Sequence, residues 1–382
     1  MANTPESQKP NPGTVRIVAG QSNKPKRRRA VEIALAVGLV LLIGAGAAVA
    51  SAVSRGNETA PVPTASPAAE LKLGYFSNVT HGPALVGTSQ GIIAKELGDT
   101  KLSTQVFNAG PAAIEALNAG AIDATYIGPN PAINSYVKSN GESISIIAGA
   151  ASGGAQLVVK PEFNSAADLK GKVLSSPQLG GTQDVALRAW LGDQGFKTNT
   201  DGSGDVNINP TENAQSLKLF TDGKLDGAWL PEPWASRLVL EAGAKVLVDE
   251  KDLWENGDFT TTILIVNKKF AAEHPETVKA LLKGHVESVK WLNSASAEEK
   301  ATTINAVLKD TAGKPLPGDV IARALQNITF TTDPLAGTYP KLLQDGVDAG
   351  TTKQADINGI FDLRTLNEVE GNKTSAAGLG QD

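Results

Sequence analysis

Three polar loops, each leading into a predicted helix, carry the side chains best suited to bind a small ligand. Unpaired backbone N–H groups at the start of a helix attract anions, so loops of this kind predict a site for a small anion. Each loop also has a simpler interpretation, because the same residue types cap helices and form turns. The candidates are Ser77, Asn78 and His81 in the first loop, Asn130 in the second, and Thr182 and Gln183 in the third.

Two further stretches carry candidate binding groups. The Ala-Ser-Gly-Gly stretch 151–154 includes Ser152 and Gly153, and its glycines permit close approach of the backbone to a ligand. The Trp-Leu-Pro-Glu-Pro-Trp stretch 229–234 predicts Trp229 as a wall of the ligand site and Trp234 as a core residue. Glu232 has three interpretations: it accepts a hydrogen bond from a ligand amine, accepts one from a protein N–H, or forms an ion pair between lobes.

The elements that position these loops alternate short aliphatic runs with amphipathic stretches, which is typical of α/β folds with largely parallel sheets. The order of these runs predicts two lobes joined by two extended crossovers, which form a hinge around a cleft. Ligands in such sheets bind at the carboxyl ends of strands. The predicted parts are lobe I over 70–158, lobe II over 159–258, a return to lobe I over 259–350, and a C-terminal tail over 351–382, disordered from residue 371.

The N-terminal part predicts export. Residues 1–29 form a basic cytoplasmic tail with seven Lys/Arg, and residues 33–54 contain no charge, a length of about 33 Å as a helix. The segment 30–54 is therefore a transmembrane helix, with the tail inside and the remainder outside. Its small residues near position 50 also fit a cleaved signal peptide. Residues 55–69, rich in Pro, Ala, Thr and Ser, predict a flexible linker.

Composition excludes several functions. After residue 54 the chain carries 28 Lys/Arg and 38 Asp/Glu, a net charge of about −10, which argues against nucleic-acid binding. The absence of cysteine removes disulfides, thiolate metal sites, cysteine nucleophiles and lipid-modified cysteine anchors. Nucleotide-binding and hydrolase motifs are also absent from the sequence, so neither an enzyme nor a cofactor or metal site is expected.

The sequence resembles the sulfonate/nitrate/taurine substrate-binding proteins of ABC transporters, most closely the aliphatic sulfonate branch. The resemblance covers about residues 71–350, and its motifs match in order and spacing. They fall at 110–117, 120–123, 126–132, 168–172, 181–188 and 226–234.

The resemblance implies a type II periplasmic-binding-protein fold whose cleft binds an alkanesulfonate or related anion and delivers it to a membrane permease served by a separate ATPase. It also implies ligand contacts from all of the candidates named above: Ser77, Asn78, His81, Asn130, Ser152, Gly153, Thr182, Gln183, Trp229 and Glu232. The chain departs from many family members in lacking a lipid-anchor cysteine, so its mode of attachment differs.

Several alternatives stay open at this level. Taurine, nitrate or a thiamine-type pyrimidine would also suit the predicted site. A membrane-tethered solute sensor has the same outer domain, although about 30 residues inside the cell leave little room for an output domain. A related pyrimidine-forming synthase depends on a cysteine-rich segment, which this chain lacks.

Overall fold

The computed structural model describes residues 66–312, 315–371 and 373–382, all within one compact unit. The predicted tail 1–29, the membrane or signal segment 30–54 and residues 55–65 of the predicted linker lie outside these ranges. In the part that is described, no helix combines the length and the apolar character needed to cross a membrane.

The strands are short and mostly aliphatic. In β1, for example, Leu71 and Leu73 are fully buried on one face of the strand. The strands are β1 (Glu70–Phe76), β2 (Lys101–Phe107), β3 (Ala124–Ile127), β4 (Ile144–Gly153), β5 (Ala155–Val159), β6 (Val173–Ser176), β7 (Asn207–Pro210), β8 (Gly227–Pro231), β9 (Lys245–Asp249), β10 (Thr260–Asn267), β11 (Ile328–Phe330), β12 (Phe361–Asp362) and β13 (Gly380–Gln381).

The helices carry their apolar residues at intervals of three and four. The longest, α9, buries Val278, Leu281 and Leu282 on one face, and it begins at Pro275, where the missing N–H costs nothing. The helices are α1 (Gly82–Ser89), α2 (Ile92–Leu97), α3 (Gly110–Asn118), α4 (Pro129–Lys138), α5 (Thr182–Asp193), α6 (Asn213–Thr221), α7 (Trp234–Ala242), α8 (Lys268–Glu273), α9 (Pro275–Ser294), α10 (Ala297–Ala312), α11 (Gly318–Gln326), α12 (Tyr339–Asp348) and α13 (Arg364–Glu370).

Two mixed sheets divide the described residues into two lobes. The lobe I sheet has the order β13-β12-β4-β10-β3-β1-β2, and β11 pairs with β4. The lobe II sheet has the order β7-β6-β8-β5-β9. Within each sheet the strands before helices run parallel, such as β1 with β2 and β6 with β8, whereas the crossover strands β5 and β10 run antiparallel to their neighbours. The predicted α/β architecture with two lobes is therefore confirmed.

The first crossover lies earlier than predicted. β4 belongs to lobe I and β5 to lobe II, so the chain crosses at Gly154, and lobe II does not begin at residue 159. Both strands are buried almost throughout, so burial patterning alone does not separate them, and the boundary falls at the glycine pair 153–154. The second crossover lies between β9 and β10, through two short 3₁₀ turns at Glu250–Leu253 and Glu255–Gly257.

The C-terminal segment is an integral part of lobe I, which corrects the predicted tail over 351–382. β12 pairs with β4, and β13, beyond residue 371, pairs with β12. Ile360, Phe361 and Leu366 are fully buried in the lobe I core. These apolar side chains are few and widely spaced, so their contribution to a distant sheet is not visible as a local pattern.

Candidate functional site

A cavity, here called the inner cavity, lies between the lobes at the carboxyl ends of several strands. Among the described residues that line it, none is Lys, Arg, Asp or Glu. The polar lining is neutral and comes from both lobes: Asn78, Thr80, His81, Asn108, Thr261 and Thr262 from lobe I, and Thr182, Gln183 and Asn213 from lobe II. Such a lining presents hydrogen-bond donors and acceptors without a fixed charge.

His81 is a neutral member of this lining. Its ring is stacked on Phe76 with 4.4 Å between ring centroids, and its Nδ1 accepts a hydrogen bond from the Phe76 N–H at 3.2 Å. Burial lowers the pKa of His81 to about 3. The imidazole is therefore uncharged at neutral pH, and because Nδ1 accepts a hydrogen bond, Nε2 carries the proton and is a donor.

The start of α5 supplies backbone N–H groups and a hydroxyl of lobe II that are not paired within the described structure. Gly181 precedes the helix, and Thr182 and Gln183 are its first two residues, so their N–H groups have no partner within the helix. The Thr182 hydroxyl is buried and has no hydrogen-bond partner in the described structure. This helix end carries a partial positive charge, which favours an anion.

A fully buried ion pair fixes this helix end. Asp184 accepts hydrogen bonds from the Ser176 hydroxyl at 2.7 Å, the Gly180 N–H at 3.0 Å and Arg188 Nε at 2.9 Å. The side chains of Asp184 and Arg188 have no exposed surface. Asp184 therefore holds the loop before α5 in place and is not itself available to a ligand.

Asn130 does not line the inner cavity. α4 begins at Pro129 after Gly128, and Asn130 is its second residue, with Nδ2 donating to the Leu342 carbonyl at 3.0 Å. Prolines at the first and third positions leave Asn130 as the one residue of the first three with an N–H. The predicted capping role is wrong, because Gly128 precedes the helix and the Asn130 side chain faces α12. Its ligand contact stays a prediction.

Gly128, which precedes α4, allows the two lobes to approach each other closely. It lines the inner cavity, and a Cβ at this position would overlap the Thr182 hydroxyl of the opposite lobe. Any larger residue would hold the lobes apart at this point.

The two tryptophans lie opposite to the prediction: Trp229 is in the core, and Trp234 is at the cleft. Trp229 is fully buried in the core of lobe II, packs 6.2 Å from Trp190 between ring centroids, and donates Nε1 to Glu250 at 2.7 Å. Trp234 is only half-buried and donates Nε1 to Asn78 Oδ1 at 2.9 Å, across the cleft. Burial raises the pKa of Glu250 to about 8.

Glu232 forms an ion pair between the lobes and accepts a hydrogen bond from a protein N–H, two of its three predicted interpretations. The carboxylate has no exposed surface and accepts from Arg323 Nη1 at 3.1 Å, Asn327 Nδ2 at 2.7 Å and the Ser236 N–H at 3.0 Å. Burial raises its pKa despite these partners. Glu232 does not line the inner cavity, and its ligand contact stays a prediction.

Ser152 and Gly153 belong to the hinge as well. The Ser152 hydroxyl accepts from the Phe259 N–H at 3.3 Å, and the Gly153 carbonyl accepts from the Thr261 hydroxyl. Gly153 and Gly154 have φ of +79° and +76°, which favours glycine. The glycines serve the crossover between sheets, and neither Ser152 nor Gly153 lines the inner cavity. Their ligand contacts stay predictions.

Two more cavities adjoin the inner one at the cleft mouth. The side cavity is lined by Ser77, Asn78, Phe107, Asn108, Glu212, Asn213, Ala214 and Trp234. The outer cavity has a mixed polar and apolar lining: Val106, Phe107, Asn108, Ala109, Ala112, Pro177, Gln178, Leu179, Pro210, Thr211 and Glu212. Ser77 therefore lies beside the inner cavity and not in it.

Asn108, Asn213 and Thr262 line the inner cavity without having been predicted to do so. Asn108 and Asn213 follow β2 and β7 directly or within a few residues, so the rule that ligands bind at strand ends would have found both. Thr262 lies within β10, and nothing in its local sequence distinguishes it from other buried strand residues.

Comparison with known proteins agrees with this geometry. A model of the NMT1-like family matches residues 64–307, more than half of the chain. The chain belongs to the NMT1-like family. The recognition of a substrate-binding-protein family from sequence motifs is thereby confirmed.

Relatives of this NMT1-like protein include two from Escherichia coli strain K12. The taurine-binding periplasmic protein is 26% identical over 262 residues, which cover 66% of this chain and 79% of that protein. A putative aliphatic sulfonates-binding protein is 27% identical over 268 residues, which cover 69% of this chain and 77% of that protein.

Solved structures share the fold of this NMT1-like protein. The alkanesulfonate-binding protein SsuA from Xanthomonas axonopodis pv. citri, bound to MOPS, gives a TM-score of 0.62 at 19% identity, over 76% of this chain and 96% of that one. The nitrate-binding protein NrtA from Synechocystis PCC 6803 gives 0.64 at 16% identity, over 79% and 85%. Identities this low establish the periplasmic-binding-protein fold alone.

Proposed function

We propose that this chain is the extracytoplasmic solute-binding component of an ABC importer, that it is not an enzyme, and that it binds a small anion, an aliphatic sulfonate, in the inner cavity. The observation that carries the proposal is the uncharged, donor-rich lining beside the start of α5. Thr182, Gln183 and the Nε2–H of His81 present donors at one place. Neutral donors and helix ends stabilise an anion without a lysine or arginine.

The exposed apolar side chains of the outer cavity are the reason for proposing that the anion carries an aliphatic chain. Val106 from lobe I and Leu179 from lobe II are each about 40% exposed (42% and 41%), which is unusual for large apolar side chains in this structure. Phe107 and Pro177 line the same space. An alkyl chain that leaves the inner cavity would cover this surface and remove it from water.

The relatives named for taurine and aliphatic sulfonates support the same class of solute. In this proposal the solute binds in the cleft, the lobes close by the hinge at Gly154, and the closed form delivers the solute to a permease driven by its ATPase. The segment 30–54 would tether the receptor to the outer face of the membrane or be removed as a signal peptide.

Isothermal titration of the purified full-length chain tests the proposal. The titrants are propane-1-sulfonate, nitrate, sulfate and a thiamine-type pyrimidine, each in low-salt buffer. We expect the sulfonate to bind most tightly and Thr182→Val to weaken it at least about ten-fold, since a hydrogen bond to a charged group contributes about 1.5–3 kcal/mol.

Thr221→Val is the matched control, because Thr221 is an exposed residue at the far end of a helix in the same lobe. It should leave the affinity unchanged. Absence of binding by every anion, with or without pyrimidine binding, would overturn the proposed function.

A further inference from the structure

A carboxylate lies directly behind the helix start that is proposed to attract the anion. Asp184 is the third residue of α5, one position after Gln183, and its side chain has no exposed surface. Its oxygens accept hydrogen bonds from the Ser176 hydroxyl at 2.7 Å and the Gly180 N–H at 3.0 Å. Asp184 therefore fixes the same turn whose residues line the inner cavity.

The negative charge of Asp184 opposes the binding of an anion at this turn. The start of a helix carries a partial positive charge, and a carboxylate held there offsets it. Two negative charges also repel each other more strongly inside a protein than in water, because the effective dielectric constant is lower. The turn therefore needs the hydrogen bonds of Asp184 for its shape, but anion binding requires that the charge of Asp184 be cancelled.

Arg188 is placed to cancel this charge. It lies one helical turn after Asp184, is 2% exposed, and donates Nε to Asp184 Oδ2 at 2.9 Å. Its Nη1 donates to the Asn199 carbonyl at 2.7 Å, whereas Nη2 is buried without a hydrogen-bond partner in the described structure. The guanidinium thus has one neutral acceptor and one charged one.

Other carboxylates near Arg188 do not pair with it. Asp345 binds Lys341 Nζ at 2.6 Å, and Asp348 accepts from Gln344 Nε2 at 2.8 Å. Among the residues that the structure describes, Asp184 is the one carboxylate that forms an ion pair with Arg188. A further cavity places these groups together, and its charged lining residues are Arg188, Asp193, Lys197, Asp345 and Asp348.

Stability alone does not require such a pair, since apolar groups of similar volume often replace a buried ion pair without loss. We infer that Arg188 is a positioning residue of the anion site that acts through Asp184. It cancels the charge of the carboxylate that fixes the turn, so that the N–H groups of Thr182 and Gln183 can attract an anion. Arg188 does not line the inner cavity and so touches no solute there. The inference rests on the proposed function, because it assumes that this cavity binds an anion.

Calorimetric titration of the full-length chain with propane-1-sulfonate tests the inference. We expect Arg188→Met to weaken binding at least about ten-fold, because it leaves the charge of Asp184 uncancelled behind the anion. Adding Asp184→Asn should restore the affinity to within about three-fold of wild type, and Arg188→Lys, which keeps the charge, should lose less than about three-fold. A purely structural pair would instead lose as much affinity, or more, in the double variant.

Arg188→Met can fail to fold, since it strands a buried charge. In that case Asp184→Asn alone is decisive: it leaves the positive charge behind the anion, so its affinity should at least equal that of the double variant. Arg364→Met is the matched control, because it removes the same charge from an exposed ion pair with Asp362 in lobe I. It should leave the affinity unchanged.

The outcomes separate the inference from the proposed function. Equal losses in Arg188→Met and the double variant, or weaker binding by Asp184→Asn than by the double variant, would overturn the inference and leave the anion-binding function intact. Failure of the wild-type chain to bind propane-1-sulfonate would overturn the proposed function and the inference with it.

Discussion

Replacing Arg323 by methionine removes the positive partner of a carboxylate that has no exposed surface. Arg323 Nη1 lies 3.1 Å from Glu232 Oε1 and 2.8 Å from the Ser236 hydroxyl, and Nη2 lies 2.7 Å from Gln156 Oε1. Removing one partner of a buried pair costs about 3–5 kcal/mol. Because 22% of the Arg323 side chain is exposed, water can enter beside the methionine, and we expect a loss near the lower limit, about 3 kcal/mol.

Glu232→Gln should cost less, about 1–2 kcal/mol, because the stranded guanidinium can turn toward water while the glutamine keeps its shape. The double variant should be more stable than Arg323→Met alone, since it contains no uncompensated buried charge. Urea unfolding of the full-length chain measures all three. With an m-value of about 3 kcal/mol/M, the single Arg323 change lowers the midpoint by up to about 1 M.

The pH dependence gives a second test of the same variant. Burial raises the pKa of Glu232, so a carboxylate that has lost its cation takes up a proton more readily as the pH falls. The cost of Arg323→Met should therefore shrink from pH 7 toward pH 5. Strictly additive losses in the double variant, or a cost independent of pH, would refute the view that Glu232 is an ionised group held by Arg323.

Two further predictions concern groups away from the cleft. Burial lowers the pKa of His285 to about 4, so between about pH 6.5 and pH 4 the unfolded chain binds a proton that the folded chain does not, and the free energy of unfolding falls as pH falls. His285→Gln should flatten this slope by up to about 1.4 kcal/mol per pH unit in urea titrations at several pH values; an unchanged slope would show that His285 is charged in the folded chain. Trp229→Phe should lose about 1–3 kcal/mol of stability, because it strands buried Glu250, yet leave solute affinity unchanged in calorimetry; a large loss of affinity would return Trp229 to the ligand site.

The positions of Trp229 and Trp234 show that sequence patterns do not distinguish cleft-facing side chains from core side chains in a strand that is buried on both faces. Helices cover both faces of the lobe II sheet, so every residue of β8 is buried and alternation cannot tell a cleft-facing side chain from a core one. Trp234 is the first residue of α7, preceded by Pro233, and that position directs it to the cleft mouth.

Contacts between residues that are far apart in the sequence are the second reason why sequence patterns fail to predict part of the site. The strand-and-helix order, the hinge and the loops near Thr182 followed from local patterns, because each is encoded within a few neighbouring residues. Asn130 resembles Thr182 in the sequence, since each lies within two residues after a glycine at the start of a helix. Its partner, the Leu342 carbonyl, lies 212 residues away on α12, and no local signal announces that contact. The same holds for the pairing of β12 with β4.

The distribution of polar groups explains how a solute would select the closed form. Thr182 Oγ1, Asn213 Oδ1 and Thr262 Oγ1 are buried without partners where the lobes meet. Each such atom costs about 1–3 kcal/mol, a penalty that an open cleft avoids because water reaches these atoms. In the proposed function, an anion that accepts from the two hydroxyls removes part of that penalty only when the lobes are closed. Its differential binding energy therefore drives closure, as any ligand-driven conformational change requires.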